Sequence, residues 1–374
     1  MKDKILILGL ALILLFGCNK ESNEPINNAL STKTFQLNNV DNIFFTKDKG
    51  LLISGCANDK YCLIQTDGNL NTKWIKNNYD WGNLIFGSGW GSSFYSIKVV
   101  KVFQLNDGKY VCICSITKGG DVVYPSTLIV VLSQNGTQIN KYTFDNVSVT
   151  NALQTNDGGY ILFGCELIKL DKNFNQLWSK NIYDYKYFPS QIVLTSDGGF
   201  AITGSYNGEQ IFLKKYDSKG NELLCRTYKQ SEYSFEDSGF DLTQLNDNGF
   251  LIIGRTGRTV MPNIIDCQMI RTSFKGDTIW TKRFSYSTNS RLDQIISYNK
   301  NEVIIKGTIG FPDENEKSTM IKINTDGQVL DSVTVNKFKT IIHSPLGYYI
   351  KVKSKDSAHT DLSKINVNNL FDRK

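Results

Sequence analysis

The stretch TNDGGYILFG at residues 155–164 recurs in similar form as TSDGGFAITG at residues 195–204 and LNDNGFLIIG at residues 245–254. Each copy places an Asp-Gly or Asp-Asn turn before an apolar run that ends at a glycine. Asp-Gly favours the positive φ of tight hairpin turns, so each copy predicts the centre of a β-hairpin. A hairpin that returns at intervals indicates one structural unit used several times.

The unit contains four predicted strands. Around the second copy the strands are QIVLT, FAITGS, QIFLKKYD and ELLCRTY, and the turns SDGG and SKGN join the first to the second and the third to the fourth. The turn aspartates are Asp48, Asp107, Asp157, Asp197 and Asp247, with weaker echoes near Lys300 and Pro345. Four strands per repeat of roughly 40–50 residues are typical of a β-propeller blade, because stacked neighbours cover the two faces that one sheet leaves open.

The number of units predicts an all-β, seven-bladed propeller. Six units are complete, and the seventh, residues 340–367, shows only three strands. The segment TKTFQLNN at residues 32–39 has the right length and pattern to supply the missing fourth strand. A strand from the N-terminal side would pair the edges that otherwise stay open. Six or eight blades are the alternatives.

The first residues predict a lipoprotein signal peptide covering residues 1–17. Lys2 and Lys4 precede an apolar run from Ile5 to Phe16, which is shorter than the roughly 20 residues of a membrane span. The run stops at Gly17-Cys18, the layout of a cleaved secretory signal. LFGC resembles the bacterial lipobox, which implies that Cys18 carries palmitate and other acyl chains and anchors the protein to a bilayer. Residues 18–31 are polar and predict a tether, and residues 32–374 form one propeller domain.

Three tryptophans follow the second turn of their units: Trp74 in TDGNLNTKW, Trp178 in DKNFNQLW and Trp280 in SFKGDTIW. This resembles the tryptophan-docking pattern of quinoprotein-type propellers and, loosely, the Asp-box hairpins of sialidase propellers. The DGGY element resembles repeats in propeller lipoproteins of Bacteroidetes. The resemblance implies indoles packed between blades. With the lipobox, it implies the cell envelope, at the outer membrane or surface of a Gram-negative bacterium.

The composition argues against several kinds of chemistry. The sequence has only two histidines, His343 and His359, so a metal site built on imidazoles or a Ser-His-Asp triad is not expected. The formal net charge is +6, the lysines are scattered, and every arginine lies at or after Arg226, so nucleic-acid binding has no support. We expect no cofactor and no metal. Seven cysteines remain besides Cys18. Only Cys56 and Cys62 flank the same hairpin loop, and the sequence does not decide whether they form a disulfide.

Topology predicts which face binds. Strands alternate in direction, so the regular 1–2 and 3–4 turns share one face, the turn face. The 2–3 loops and blade-to-blade links share the other, the loop face. Variable loops on a rigid scaffold are common binding sites, and ILFGCELIKL leaves blade three almost no loop there. The candidate binding residues are aromatic residues of two links: Trp81, Trp90, Phe94, Tyr95 and Tyr185.

A second candidate is the central channel. Polar residues stand six positions before the turn aspartates, and one more falls out of step: Asn42, Lys101, Asn151, Gln191, Asp241 and Asp293. They could bind a small ligand or only water. The favoured function is a non-enzymatic envelope lipoprotein that binds a glycan or a protein. The alternatives are a carbohydrate-active lyase or hydrolase using Asp241 and Asp293, which needs carboxylates roughly 5–9 Å apart, and a structural component of an envelope complex.

Overall fold

The computed structural model describes residues 29–57, 60–77, 94–119, 124–229, 234–258, 264–286, 289–299, 301–310, 316–344, 348–355, 357, 359–366 and 371. Within them lie seven antiparallel sheets of four strands each, which follow one another in chain order. The seven-bladed β-propeller that the repeats predict is confirmed.

The strands are numbered along the chain. Blade one has β2 (Asn39–Phe45), β3 (Leu51–Ala57), β4 (Lys60–Thr66) and β5 (Thr72–Lys76), and blade two has β6 (Phe94–Gln104), β7 (Tyr110–Gly119), β8 (Tyr124–Leu132) and β9 (Gln138–Asp145). Blade three has β10 (Val149–Gln154), β11 (Tyr160–Gly164), β12 (Glu166–Leu170) and β13 (Gln176–Asn181), and blade four has β14 (Tyr187–Leu194), β15 (Phe200–Tyr206), β16 (Gln210–Tyr216) and β17 (Glu222–Tyr228). Blade five has β18 (Ser234–Gln244), β19 (Phe250–Arg258), β20 (Ile264–Thr272) and β21 (Thr278–Phe284), and blade six has β22 (Ser290–Tyr298), β23 (Glu302–Ile309), β24 (Lys317–Asn324) and β25 (Val329–Asn336). Blade seven has β26 (Thr340–His343), β27 (Tyr348–Ser354), β28 (Thr360–Asn366) and β1 (Ala29–Phe35).

Blade seven is closed by the strand from the N-terminal side. β1 pairs antiparallel with β28, and it begins at Ala29, before the expected boundary at residue 32. The hydroxyl of Thr34 donates to Asp361 at 2.6 Å, and Phe35 and Leu37 are buried in the cluster between blades seven and one. The predicted fourth strand is therefore confirmed, and it covers an edge that would otherwise stay unpaired.

The core lies between blades rather than inside any one of them. Leu52 and Tyr61 of blade one share a cluster with Val99 and Cys112 of blade two, and similar clusters lie at the other junctions. Second strands are covered on both faces, and all five residues of β11 are buried. Removal of this apolar surface from water drives the radial stacking.

The DGG motif is a structural turn. The hydroxyl of Thr155 donates to Oδ1 of Asp157 at 2.5 Å, and the amide of Gly159 donates to the same oxygen at 3.0 Å. Gly158 has a φ of 79°, which glycine adopts freely. The buried amine of Lys169 donates to Asp157 at 2.9 Å. The Thr155 and Lys169 bonds lower the pKa of Asp157 to about 2. The DGG motif therefore has a structural role, because Asp157 stabilises its own hairpin.

The tryptophans pack between blades, as the docking pattern implies. Trp178 lies against the turn of the next blade, where a Cβ at Gly220 would come within 3.1 Å of its ring. Trp74 and Trp280 take equivalent places, and their indole nitrogens donate to carbonyls of the next blade at 3.2 and 3.3 Å. The three indoles are half-buried, with one side on the neighbouring turn.

Candidate functional site

The polar residues expected at the channel follow one backbone device. First strands of consecutive blades contact each other around the axis. In each of blades one to six the first strand carries a β-bulge, and the residue after the bulge belongs to a ring of polar side chains: Asn42, Lys101, Asn151, Gln191, Asp241 and Gln294. A bulge re-aims the side chain that follows it, so the same device places a polar group in each of these six blades.

The ring joins neighbouring blades. The side-chain amide of Asn42 donates to the carbonyl of Val100 in blade two at 2.6 Å, and Asn151 donates to Gln191 in blade four. Asp241 accepts the amide of Leu242 on Oδ1 and that of Ile295 in blade six on Oδ2, both at 2.8 Å. These side chains satisfy backbone groups near the axis and tie first strands together. That role is structural, and it leaves both Asp241 oxygens occupied.

Asp241 and Lys101 interact across the axis. They belong to blades five and two, which are not neighbours in the ring. Burial raises the pKa of Asp241 to about 6. The hydrogen bonds from the amides of Ile295 and Leu242 and the positive charge of Lys101 act in the opposite direction and lower this pKa. Burial also lowers the pKa of Lys101, and Asp241 opposes that change. The channel therefore holds one buried acid, Asp241, and one partly buried base, Lys101, and each stabilises the charge of the other.

Asp293 lies outside the ring, because it is itself the extra residue of the bulge between Leu292 and Gln294. Gln294 takes the ring position instead. Asp293 accepts Arg291 Nε at 2.7 Å, Thr308 Oγ1 at 2.5 Å and Lys306 Nζ at 3.2 Å. An acid-base or nucleophilic role for Asp293 would require it to release these partners.

The shortest 2–3 loop of the loop face is the one in blade three. β11 ends at Gly164 and β12 begins at Glu166, so one exposed residue, Cys165, forms the whole 2–3 loop. The carbonyl of Cys165 accepts the amides of Ile182 and Tyr183 at 3.4 and 3.0 Å, and this holds the link to blade four against the loop. The short loop that the sequence predicts is confirmed.

Three exposed aromatic residues lie on that link and at the start of β14, and we call them the Tyr185 patch: Tyr183, Tyr185 and Phe188. Their exposed fractions are 37%, 91% and 44%. Tyr183 contacts Tyr185 and Phe188 edge to face, with ring centroids 6.3 and 5.7 Å apart. Asp184 accepts the amides of Lys186 and Tyr187 and thereby fixes the turn that presents Tyr185. Only Tyr185 was expected from the sequence; the other two stood in the same YDYKYF run.

Several expected site residues lie outside the described residues. These are Cys18, Trp81 and Trp90. Phe94 and Tyr95 begin β6, and nothing about their side chains is described. The aromatic link after blade one therefore stays a prediction.

His343, Cys56 and Cys62 all lie in strands. His343 lies in β26 with its ring 4.9 Å from that of Tyr349, and burial lowers the pKa of His343. Cys56 and Cys62 form no disulfide, and the register of β3 and β4 places Cys62 opposite Gly55 and Cys56 opposite Tyr61. Within the described ranges, no three His, Cys, Asp or Glu side chains come together as metal ligands, and no helix is long and apolar enough to cross a membrane.

A cleft of about 620 Å³ lies on the turn face between blades four and five. It is lined by Ser196, Asp197, Lys215, Gln244, Asp247, Asn248 and Phe274. Its carboxylates are already paired, Asp197 with Lys215 and Asp247 with Arg271. Ser196 donates its amide to Gln244 at 2.7 Å, which closes the seam between the blades. Phe274 is the exposed apolar side chain at this cleft.

Comparison with known proteins shows the fold alone. No family model matches the chain, and no curated protein does. It is similar to Raptor from Chaetomium thermophilum at 10% identity and a TM-score of 0.53, over 91% of this chain and 29% of Raptor. It is similar to BBS1N, crystallised in complex with ARL6DN, at 9% identity and a TM-score of 0.51, over 91% and 93% of the two chains. A protein of unknown function from Bacteroides caccae aligns at 12% identity and a TM-score of 0.37, over 66% and 81%.

Proposed function

We propose that this protein is a lipid-anchored binding module of the cell envelope, without catalytic activity, that recognises a glycan or protein partner through its loop face. The Tyr185 patch carries this proposal. It combines almost complete exposure of one tyrosine with two supporting rings beside the shortest loop of the face. Large exposed aromatic clusters are rare on monomeric surfaces and mark interaction sites.

The geometry of the patch favours a protein partner over a sugar. The ring planes of Tyr183 and Tyr185 meet at 62°, and those of Tyr183 and Phe188 meet at 80°. Rings so inclined offer edges and hydroxyl groups rather than one flat stacking platform. Tyrosine is enriched at the energetic centres of protein interfaces because it combines apolar area with a hydrogen-bonding tip.

The absence of catalysis is supported by how the carboxylates are used. Asp241 and Asp293, the acids an enzyme would recruit at the channel, each accept hydrogen bonds on both oxygens. The turn aspartates hold their own hairpins in the same way. The lipid anchor rests on the resemblance of LFGC to a lipobox and on the apolar run before Cys18.

Site-specific photocrosslinking in a Gram-negative host tests the binding role. A photoreactive phenylalanine analogue at position 185 should give a discrete adduct with one partner, and the double change Tyr183→Ala with Phe188→Ala should abolish it. The matched control carries the analogue at position 274 on the turn face. The same adduct from both positions, or none from position 185, would contradict the proposal. An adduct lost after glycosidase treatment would identify a glycan.

A further inference from the structure

Exposed large apolar side chains are concentrated in two places. Among the described residues, three form the Tyr185 patch, and the others lie on fourth strands or in one 3–4 turn. In blades two to six the second residue of the fourth strand is an exposed aliphatic residue, with exposed fractions between 44% and 58%: Ile139, Leu177, Leu223, Ile279 and Leu330. A side chain at this position stands just beyond the 3–4 turn, so all five lie near the turn face.

Phe274 adds an aromatic residue to this row. It is 59% exposed in the 3–4 turn of blade five. The same turn position in blades one to four and in blade six holds Gly68, Gln134, Lys172, Ser218 and Thr325. Blade five therefore places a large apolar side chain at the turn face where the other turns hold small or polar residues. We call the five aliphatic residues and Phe274 the apolar rim.

The direction of β1 shows where the tether reaches the propeller. Ala29 pairs with Ile365 near the end of β28, and Phe35 pairs with Thr360 at its start. As a third strand, β28 runs from the loop face to the turn face. The chain therefore enters β1 at the turn face, on blade seven. Ala29, the first residue of β1, therefore lies at the same face as the apolar rim.

We propose that the turn face lies on the bilayer that holds the lipid of Cys18, with the apolar rim in contact with the headgroup and acyl boundary. This rests on the proposed lipidation of Cys18. The eleven residue steps from Cys18 to Ala29 span at most about 40 Å, which limits how far the turn face at blade seven can lie from the membrane. The anchor is at blade seven and the rim spans blades two to six, so the two supports together hold the ring flat.

The chemistry of the turn face fits a lipid surface. Shallow insertion of scattered apolar side chains is how peripheral proteins rest at the interface. The carboxylates beside Phe274 are paired with bases, Asp197 with Lys215 and Asp247 with Arg271, which limits repulsion from anionic lipid. With this face down, the loop face and its Tyr185 patch point away from the membrane, toward a partner.

Vesicle co-sedimentation of the non-lipidated Cys18→Ala protein tests the rim independently of the anchor. The probe is a vesicle of phosphatidylcholine with one-fifth phosphatidylglycerol. We expect weak binding that falls at least fivefold in the triple variant Leu177→Asp, Leu223→Asp and Ile279→Asp. The matched control, Ser179→Asp, Thr227→Asp and Thr281→Asp, adds the same charge to exposed positions on the same strands, farther from the turn, and should keep wild-type binding.

Equal binding by the wild type and the rim variant would overturn the proposal. So would sedimentation equilibrium in which the wild type is a dimer and the rim variant a monomer, because the rim would then be an interface between copies. Radiolabelled palmitate incorporation is measured in parallel. Equal vesicle binding by the wild type and the rim variant, with palmitate labelling intact, would contradict only this inference, whereas a wild type without label would contradict the proposed anchor.

Discussion

The backbone amide of Ile295 in blade six donates a hydrogen bond to Oδ2 of Asp241 in blade five at 2.8 Å. The other oxygen of Asp241 accepts the amide of Leu242, so one buried carboxylate satisfies two backbone donors in two blades. Buried backbone amides need such partners. The polar ring is thus part of what holds the first strands together around the axis.

Replacement of Asp241 by Ala should destabilise the fold. Two buried amides would lose their acceptor, and each such loss typically costs about 1–3 kcal/mol. Urea unfolding should show a midpoint decrease that corresponds to the loss of both bonds, and the decrease should be larger at pH 4 than at pH 7, where burial disfavours the ionised carboxylate. Asp326→Ala, at an exposed turn aspartate, is the control and should leave the midpoint nearly unchanged. An Asp241→Ala variant as stable as the wild type would contradict the structural role.

The raised pKa of Asp241 predicts a specific pH dependence. The carboxyl group ionises near 4 in the unfolded chain and near 6 in the folded one, so its charged form is disfavoured by folding. Its contribution is therefore most favourable below about pH 4 and is lost as the pH rises to about 6, by on the order of 3 kcal/mol. Asp241→Asn cannot titrate. The difference in unfolding free energy between wild type and Asp241→Asn should change across this window, and a flat difference would refute the shift.

Removal of β1 should open the ring. Deletion of residues 29–35 exposes the edge of β28 and the apolar cluster around Leu362. We expect a fall in melting temperature of well over 10 °C or loss of folded protein, measured by circular dichroism. Deletion of residues 19–25 is the length control and should leave the melting temperature unchanged. Equal melting of both deletions would mean that β1 does not close the propeller.

The indole contacts give a paired prediction. Trp178→Ala removes a half-buried ring from the turn of blade four and should cost about 2 kcal/mol, less than the 3–5 kcal/mol of a fully buried tryptophan. Gly220→Ala adds a Cβ under that ring at a φ of 83° and should cost more than 1 kcal/mol. In the double variant Trp178→Ala with Gly220→Ala, the new Cβ no longer meets the indole, so the Gly220 change should cost less stability than it does alone. Additive losses in thermal unfolding would contradict direct contact.

The sequence predicts this fold well because its turns are local. Asp157 and its glycines fix a hairpin from within a few residues, and repetition of that hairpin defines blade number and strand order. Closure by β1 could be predicted from the one missing strand. These features depend on residues that are close in sequence, so they can be predicted from the spacing of the motifs.

The site is predicted less well because it depends on register and exposure. Asp293 was included among the channel residues although it falls one residue out of step, and the bulge between Leu292 and Gln294 places Gln294 in the ring instead. Leu177 and Leu223 fit the strand pattern in the sequence like any core residue. Only the position of their strand at the outer edge of each blade leaves them exposed.

The orientation of the propeller on the membrane is tested most directly by hydroxyl-radical footprinting of the lipidated protein in vesicles, against the Cys18→Ala protein in solution. We predict that vesicles reduce the oxidation of Leu177, Leu223, Phe274 and Ile279, while Tyr185 and Phe188 react equally in both samples. Protection of Tyr185 with unchanged oxidation of the rim would place the loop face on the bilayer and contradict the account.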